Sequence, residues 1–320
     1  MISNLAQARL SKSYQGLGTV IDLTIFGSQD ESLLFESHQL IQHYEKLFTV
    51  NRTASEVLSI SDKAGIEPVQ VSSAVYSLVK KATETSLEHF GFNVAIGPLV
   101  KLWHIGFKDA RVPTDEEMSQ KMQLISPENI RLNQQDQSVF LEKSGMELDL
   151  GAIAKGYIAD RISDFWKSRA VQSGIINLGG NLLLLGEAAH QADKKWRVGI
   201  RNPLLATDET IAILTTGASS VVTSGISERT FTAGGKTYHH IINPETGYPH
   251  ETEIVSVTVL TEASIEGEIE TTRLFFAETV PKNYNYSAII AYRDKSLSLV
   301  NFDEKNIQIT NSEFYIKEIL

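Results

Sequence analysis

The feature of this sequence that most limits its possible folds is a change of pattern near residue 175. Before it, a strand is predicted at residues 17–26, and helices are predicted at 31–48, from Ser72 or Ser73, and from Thr114. After it come short β-like segments, at residues 196–200, 211–214, 220–223, 255–260, 288–292 and 296–300, with one helical stretch at about 265–278. Strands and helices therefore do not alternate as βαβ units. We predict an α+β fold with mostly antiparallel sheets and packed helices.

Composition argues against several classes of function. The chain of 320 residues has a formal net charge of −10 and no basic block, so it lacks the dense Lys/Arg footprint that nucleic acid requires. It contains no cysteine, which excludes disulfides, thiol catalysis and thiolate metal sites. Any metal site must therefore be built from oxygen or histidine ligands.

The start of the chain and its hydropathy bear on location. Residues 1–10 lack the positive start and apolar stretch of a signal peptide, and no apolar run approaches the roughly 18 residues of a membrane span. We therefore expect a cytoplasmic protein with no membrane span in this chain, or an extracytoplasmic one if an exported protein was trimmed. No linker, low-complexity tract or repeat is evident, which predicts a single unit over residues 1–320 with its core at about 14–318.

The densest polar motif lies at residues 147–161, ELDLGAIAKGYIADR. It reads as a strand running into a helix N-terminus, where backbone N–H groups and the helix dipole favour phosphate. Spacing alone is equally compatible with Lys155 and Asp160 being solvated helix charges. The two standard glycine-rich phosphate-loop patterns are absent from this segment.

Two further segments have local patterns that favour a structural role without excluding a functional one. Residues 177–180, NLGG, indicate a tight turn or a close backbone approach to a ligand, and the plain turn is favoured. His239 and His240 are predicted to alternate across a strand, so that one faces a site and the other solvent. Histidine suits proton removal near neutral pH, although a lone strand histidine is more often structural.

The predicted helix near residue 265 carries acidic side chains. Glu268 and Thr272 stand four residues apart and share one helix face, so both can offer oxygen to a hard cation such as Mg²⁺. The alternative is that Glu266, Glu268 and Glu270 form an exposed acidic patch, and the local pattern favours the patch.

Taken in order, these segments resemble the ApbE family, the FAD:protein FMN transferases. Residues 92–106, FNVAIGPLVKLWHIG, are similar to the family pattern FDxTxGPLxxLWGFG, and residues 147–161 resemble DLGGIAKGYAVD. INLGGNLLLLG, WRVGIRNP, TSG and HIINPETGYP then follow in the family's order and spacing. The resemblance covers nearly the whole chain and implies an ApbE-like fold.

The resemblance also implies an activity and its participants. Such enzymes use Mg²⁺ to cleave FAD and transfer FMN to a Thr or Ser hydroxyl of a target flavoprotein, releasing AMP. The metal positions of the family correspond to the backbone carbonyl of Ala154 and the side chains of Glu268 and Thr272. His240 corresponds to the histidine expected to act as general base. Flavin contacts are implied near Leu17, Asn51, Ala95, Ile96, Gly97, Gly151, Tyr157 and Ile242.

At five positions the sequence departs from the resemblance. Glu268 replaces the usual metal-binding Asp, and Asn93 and Asn243 stand where many relatives have Asp. Asn51 replaces a frequent aromatic residue, which removes flavin stacking there, and Leu17 replaces a frequent Met. These differences leave two alternatives open: a Mg²⁺-dependent FAD pyrophosphatase, in which water replaces the hydroxyl, and a non-catalytic flavin-binding protein.

Overall fold

A computed structural model of the protein describes residues 8–50, 54–205, 209–277 and 279–320. The helices of these residues are α1 Ser32–Phe48, α2 Glu56–Asp62, α3 Ser73–Ser86, α4 Gly97–Trp103, α5 Asp115–Met122, α6 Ala154–Ser168 and α7 Ser264–Phe276. The strands are β1 Arg9–Gly16, β2 Thr19–Phe26, β3 Val69–Gln70, β4 Ile130–Asn133, β5 Ser138–Leu141, β6 Ser173–Asn177, β7 Asn181–Leu185, β8 Trp196–Arg201, β9 Thr210–Thr216, β10 Ser219–Gly225, β11 Thr230–Ala233, β12 Lys236–His239, β13 Ile254–Thr261, β14 Ser287–Tyr292, β15 Ser296–Val300, β16 Ile307–Ile309 and β17 Tyr315–Ile319.

The chain divides into two compact units. Unit 1 comprises Met1–Glu45, Lys155–Gly225 and Glu253–Leu320, and unit 2 comprises Lys46–Ala154 and Ile226–Thr252. That the two units work as a single functional unit stays a prediction. Among the residues that the structure describes, no helix combines the length and the apolar character needed to cross a membrane.

Unit 1 is built around a nine-stranded sheet in the order β1-β2-β6-β7-β10-β13-β14-β15-β17. Every neighbouring pair is antiparallel except β15 with β17. Helix α7 packs on β10 and β13, and seven of the eight residues of β13 are buried. A smaller sheet in the order β16-β9-β8 completes the strands of this unit. The sheets confirm the predicted α+β class with mostly antiparallel pairing.

Unit 2 holds the three-stranded sheet β3-β5-β4, the hairpin β11-β12 and helices α2 to α5. One of its apolar clusters consists of Leu99, Trp103, Ile105, Met118, Ile125 and Ile242. Trp103 is fully buried in this cluster and its Nε1 donates a hydrogen bond to the carbonyl of Gly247 at 2.8 Å. The bond satisfies the indole N–H, as burial requires, and ties α4 to the turn after Ile242.

Helix starts with local signals were predicted correctly. Thr114 caps α5 in a capping box: its hydroxyl accepts from the backbone N–H of Glu117 at 3.3 Å, and the Glu117 carboxylate accepts from the backbone N–H of Thr114 at 2.9 Å. Ser72 caps α3. The first predicted strand begins two residues later than expected, because Leu17 and Gly18 form a two-residue hairpin turn with φ of 53° and 73°.

Candidate functional site

Helix α7 buries two of its three carboxylates. Glu268 and Glu270 are only 5% and 6% exposed, so the expectation of an exposed acidic patch is wrong. The reason is that α7 lies against β10 and β13, which the local sequence does not reveal. Buried carboxylates need partners, and the Nε of Arg273 lies 3.0 Å from Glu270 Oε1.

A chain of buried polar side chains holds the Glu268 carboxylate. The Nδ2 of Asn181, the first residue of β7, donates to Glu268 Oε1 at 2.8 Å. Asn181 Oδ1 accepts from the hydroxyl of Ser264 at 2.7 Å, and the hydroxyl of Ser220 donates to that of Ser264 at 3.0 Å. Residues of β7, β10 and the first turn of α7 thus orient one carboxylate. Asn181 was not predicted as a site residue, although it follows paired glycines directly.

Thr272 lies one helical turn after Glu268. Its hydroxyl donates to the Glu268 backbone carbonyl at 3.2 Å, and the hydroxyl of Thr271 donates to the same carbonyl at 3.0 Å. Ser224 of β10 donates to Thr271 at 2.9 Å. Glu268 and Thr272 therefore lie on successive turns of α7, on the same helix face, as their spacing predicts.

Helix α7 receives its N-terminal cap from another helix. Asp160 of α6 accepts the backbone N–H groups of Ser264 at 2.7 Å and Ile265 at 3.0 Å, and no side chain at the preceding position caps α7. Burial raises the pKa of the Asp160 carboxyl, and the two backbone N–H donors oppose that rise. The interpretation of Asp160 as a solvated charge is therefore wrong. Lys155 is half-buried, with Nζ 3.5 Å from the carbonyl of Gly179.

The segment at residues 178–180 is the loop of the hairpin β6-β7. Gly179 has φ 67°, and a Cβ there would lie 2.1 Å from the hydroxyl oxygen of Thr19. The favoured prediction of a turn is confirmed. The side chain of Thr19 in β2 leaves no room for a Cβ at Gly179, and the close backbone approach to a ligand stays a prediction.

Two of the residues implied in flavin contact lie in unit 1 and are both tied to α1. Leu17 donates its backbone N–H to Glu45 Oε1 at 3.0 Å. Tyr157 of α6 is 9% exposed and makes an edge-to-face contact with Tyr44, with ring centroids 5.5 Å apart. Glu45 and Tyr44 are adjacent in α1, so this helix links the hairpin turn and α6.

The other described residues implied in flavin contact lie in unit 2. Ala95 and Ile96 belong to the short 3-10 helix Val94–Ile96, Gly97 begins α4, Gly151 lies in the turn before α6, and Ile242 pairs with Pro249. The segments just before Gly97 and just before Gly151 are hydrogen-bonded to each other: the backbone N–H of Asp149 donates to the carbonyl of Val94 at 2.8 Å. Ile96 packs on the cluster that contains Ile242. Asn51 lies outside the described residues.

The two adjacent histidines have different surroundings. Strand β12 ends at His239, and His240 lies in the bend that follows, so the predicted alternation across one strand is wrong. His239 Nδ1 accepts the N–H of Ile241 at 3.3 Å, and its Nε2 lies 3.0 Å from the carbonyl of His250. Only a neutral ring with its hydrogen on Nε2 makes both bonds. His239 is thus a structural residue, while His240 is half-buried and donates its N–H to the carbonyl of Arg229 at 3.2 Å.

The model of the ApbE family matches residues 17–285. The chain belongs to the ApbE family. It is 45% identical over 260 residues to a protein named FAD:protein FMN transferase from Klebsiella pneumoniae (strain 342), which covers 81% of this chain and 79% of that protein. A Treponema pallidum (strain Nichols) protein of the same name is 33% identical over 275 residues, covering 81% and 76%.

Solved structures show the same fold. The ApbE protein from Thermotoga maritima matches with a TM-score of 0.79 at 25% identity, covering 95% of this chain and 98% of that one. A flavin transferase ApbE from Vibrio cholerae matches with a TM-score of 0.77 at 24% identity, covering 89% and 94%. The prediction of an ApbE-like fold is confirmed.

The hydrogen bonds of Asn93 and Asn243 explain why asparagine suits these two positions, where the ApbE pattern often has Asp. Asn93 accepts the N–H of Ala95 at 2.9 Å and donates Nδ2 to the carbonyl of Ile125 at 2.8 Å. Asn243 Nδ2 lies 3.3 Å from His250 Nδ1 and is the donor of this hydrogen bond, because an amide nitrogen donates and does not accept. An ionised Asp makes neither donation. Burial lowers the pKa of His250, which agrees with a neutral ring accepting at Nδ1.

The oxygen groups of α7 suit a hard cation. No group of three or more His, Cys, Asp and Glu side chains that could hold a metal occurs in the described ranges, so a cation needs hydroxyl, carbonyl, water or substrate oxygens besides a carboxylate. Glu268 has a carboxylate and Thr272 a hydroxyl, and both are oxygen groups of the kind that binds hard cations such as Mg²⁺. Ala154, the third position of the ApbE pattern, begins α6 and is the last residue of unit 2.

Proposed function

We propose that this protein is a Mg²⁺-dependent FAD:protein FMN transferase, which moves FMN from FAD to a Thr or Ser hydroxyl of a target flavoprotein and releases AMP. The names of the relatives at 45% and 33% identity support the reaction. The observation that carries the proposal is the buried Glu268 carboxylate, oriented by Asn181 and followed one turn later by Thr272. Burying an ionised carboxylate is costly, so a cation or hydrogen-bond partner at that position is expected.

The metal-binding groups would be the Ala154 carbonyl, the Glu268 carboxylate and the Thr272 hydroxyl. Bound there, Mg²⁺ would neutralise negative charge on the two phosphates of FAD and act as a Lewis acid. Glu268 would contribute a full negative charge in a site from which neighbouring side chains exclude water. Thr272 would contribute a neutral oxygen, so that the site keeps positive charge for the diphosphate.

The flavin half of FAD would contact the remaining positions of the family pattern. We assign these contacts to Leu17, Asn51, Ala95, Ile96, Gly97, Gly151, Tyr157 and Ile242. The aromatic ring of Tyr157 is held by Tyr44 and by Arg161, whose guanidinium lies 5.1 Å from the ring centroid. A side chain held from two sides provides a rigid wall for a planar ligand.

His240 would remove the proton of the acceptor hydroxyl. The acceptor oxygen then bonds to the FMN-side phosphorus. The bond between this phosphorus and the bridging oxygen breaks, and the bridging oxygen leaves as part of AMP. His239 is unsuited to the task because both of its ring nitrogens are engaged with main-chain groups. The two bonds of the His239 ring therefore support the choice of His240 as the base.

The proposal is tested by incubating the protein with FAD, Mg²⁺ and candidate acceptor flavoproteins. We expect the acceptor's mass to increase by that of FMN less one water, with release of one AMP, and we expect Glu268→Gln to depress this transfer strongly. Glu266→Gln is the matched control, because Glu266 lies on the same helix and is only half-buried. FMN and AMP formed without any acceptor would instead identify a pyrophosphatase, and tight FAD binding without turnover a flavin-binding protein.

A further inference from the structure

We propose that Asn181 is a positioning residue that sets the rotation of the Glu268 carboxylate before a cation binds. This inference rests on the metal-binding role proposed above for Glu268. Asn181 itself contacts neither substrate nor metal in this proposal. Its effect is transmitted through one hydrogen bond, from Nδ2 to Glu268 Oε1 at 2.8 Å.

The orientation of the Asn181 amide is determined by its partners. An ionised carboxylate only accepts hydrogen bonds, so the nitrogen of the amide must face Glu268 and the oxygen must face Ser264. The hydroxyl of Ser264 donates to that oxygen at 2.7 Å and accepts from Ser220 at 3.0 Å. The donors therefore run in one direction, from Ser220 through Ser264 and Asn181 to Glu268, and each bond polarises the next.

Burial makes this chain of hydrogen bonds rigid. Ser220 and Ser264 are fully buried, Asn181 is 1% exposed and Glu268 is 5% exposed. Water has little access to replace a lost partner, so removing the amide donor removes stabilisation of Oε1. A neutral donor is also the appropriate choice, because a second carboxylate at position 181 would repel Glu268.

A glutamate needs such a restraint more than the usual aspartate does. Its extra methylene adds a rotatable bond between the helix and the carboxylate, and Mg²⁺ tolerates little departure from octahedral geometry. Two features restrict this bond. Gly156 lies against the Cγ of Glu268, where an added Cβ would come within 2.8 Å, and Asn181 holds one carboxylate oxygen. Together they make the longer side chain behave as a fixed ligand.

The test uses Mn²⁺ binding in the presence of FAD, followed by electron paramagnetic resonance, because this readout does not depend on turnover. Asn181→Asp keeps the size of the side chain but replaces the donor by an acceptor. We expect the dissociation constant of Mn²⁺ to rise by about 10- to 100-fold, the usual effect of losing a partner of a metal ligand. Asn177→Asp is the matched control, because it lies in the same hairpin and makes the same change of charge. The side-chain oxygen of Asn177 accepts from the N–H of Gly179 at 3.2 Å, and an aspartate can keep this bond.

A purely structural role predicts a different result. In that case Asn181→Asp would lower the melting temperature but leave the dissociation constant of Mn²⁺ for the folded protein unchanged. This result would overturn the proposal. If Asn181→Asp does not fold, Ser264→Ala takes its place, because it removes the donor to Asn181 Oδ1 and the acceptor of Ser220 but leaves the Asn181 amide itself unchanged. We expect it to weaken Mn²⁺ binding less than tenfold but measurably, and an unchanged constant would also overturn the proposal.

Glu268→Gln separates this proposal from the one on which it rests. If Glu268→Gln leaves Mn²⁺ binding unchanged, the metal-binding role of Glu268 is wrong. If Glu268→Gln weakens binding and Asn181→Asp does not, only the positioning role of Asn181 fails. Weakening by both, with Asn177→Asp unaffected, supports both proposals.

Discussion

Gly156 of α6 and Glu268 of α7 approach so closely that a Cβ on the glycine would lie 2.8 Å from the glutamate Cγ. The same Cβ would lie 2.6 Å from the carbonyl oxygen of Ser264 and 2.7 Å from the Cα of Ile265. Because two of these neighbours are backbone atoms, a change of side-chain rotamer cannot relieve the overlap. The proposed metal-binding carboxylate is therefore placed by a helix crossing that only glycine permits.

We expect Gly156→Ala to lower the free energy of unfolding by about 1–3 kcal/mol, the usual cost of overpacking. This loss outweighs the gain of up to about 1 kcal/mol that alanine gives in a helix. Urea denaturation measures the difference. Gly217→Ala is the control, since a Cβ there meets nothing within 4 Å, and equal stability of the two variants would contradict the crossing geometry.

The cap that Asp160 provides to α7 gives a second prediction. Asp160→Ala leaves the N–H groups of Ser264 and Ile265 without their acceptor, and we expect it to cost about 1–2 kcal/mol of stability. Asp160→Asn retains one acceptor oxygen and should cost less. Asp164→Ala serves as control, because its ion pair with Arg161 is exposed and such pairs contribute at most about 1 kcal/mol. Thermal unfolding measures the difference. A lower melting temperature for Asp164→Ala than for Asp160→Ala would contradict the capping role of Asp160.

The third prediction concerns pH and His250. Burial lowers the pKa of His250 below its ordinary value of 6.5, so the native protein holds the ring neutral where the unfolded chain binds a proton. The stability that the neutral ring contributes is therefore present above that value and is lost as the pH falls through the lowered pKa. We expect the free energy of unfolding to decline from about pH 7 to about pH 5, with a shallower decline in His250→Gln.

Asn243→Asp should shift that titration. An aspartate cannot donate to His250 Nδ1 and instead favours a protonated ring, so the pKa of His250 should rise. The chemical shifts of the His250 ring protons, followed by NMR as the pH is changed, measure this directly. Asn133→Asp, an exposed position with the same change of charge, is the control. A pKa that moves equally in both variants would show that net charge, not the hydrogen bond, is responsible.

The two neighbouring histidines give the fourth prediction. His240→Ala should slow FMN transfer by about 10²- to 10⁴-fold, the range that a general base contributes, while FAD binding is largely retained. His239→Ala should mainly lower the melting temperature, because it removes two bonds to main-chain groups. Transfer rates corrected for the folded fraction distinguish the roles. Similar rates in both variants would contradict the assignment of the base.

Local patterns were sufficient wherever the structure depends on residues close in the sequence. The capping box of Thr114 and Glu117 spans three residues and marked the start of α5, and the strand predicted at residues 296–300 has the bounds Ser296–Val300. β1 was missed because it is an edge strand whose residues are mostly exposed, so no apolar alternation marks it. The order of the motifs was likewise enough to identify the family.

The candidate site depended on contacts between distant parts of the chain. Glu268 and its partner Asn181 are 87 residues apart, and Asp160 lies 104 residues before the helix residue Ser264 that it caps. The sequence by itself determined the family and those helices and strands that have local signals, because such signals involve residues within a turn or two of each other. Only the tertiary structure decided that Glu268 and Glu270 are buried, since burial depends on which strands α7 packs against.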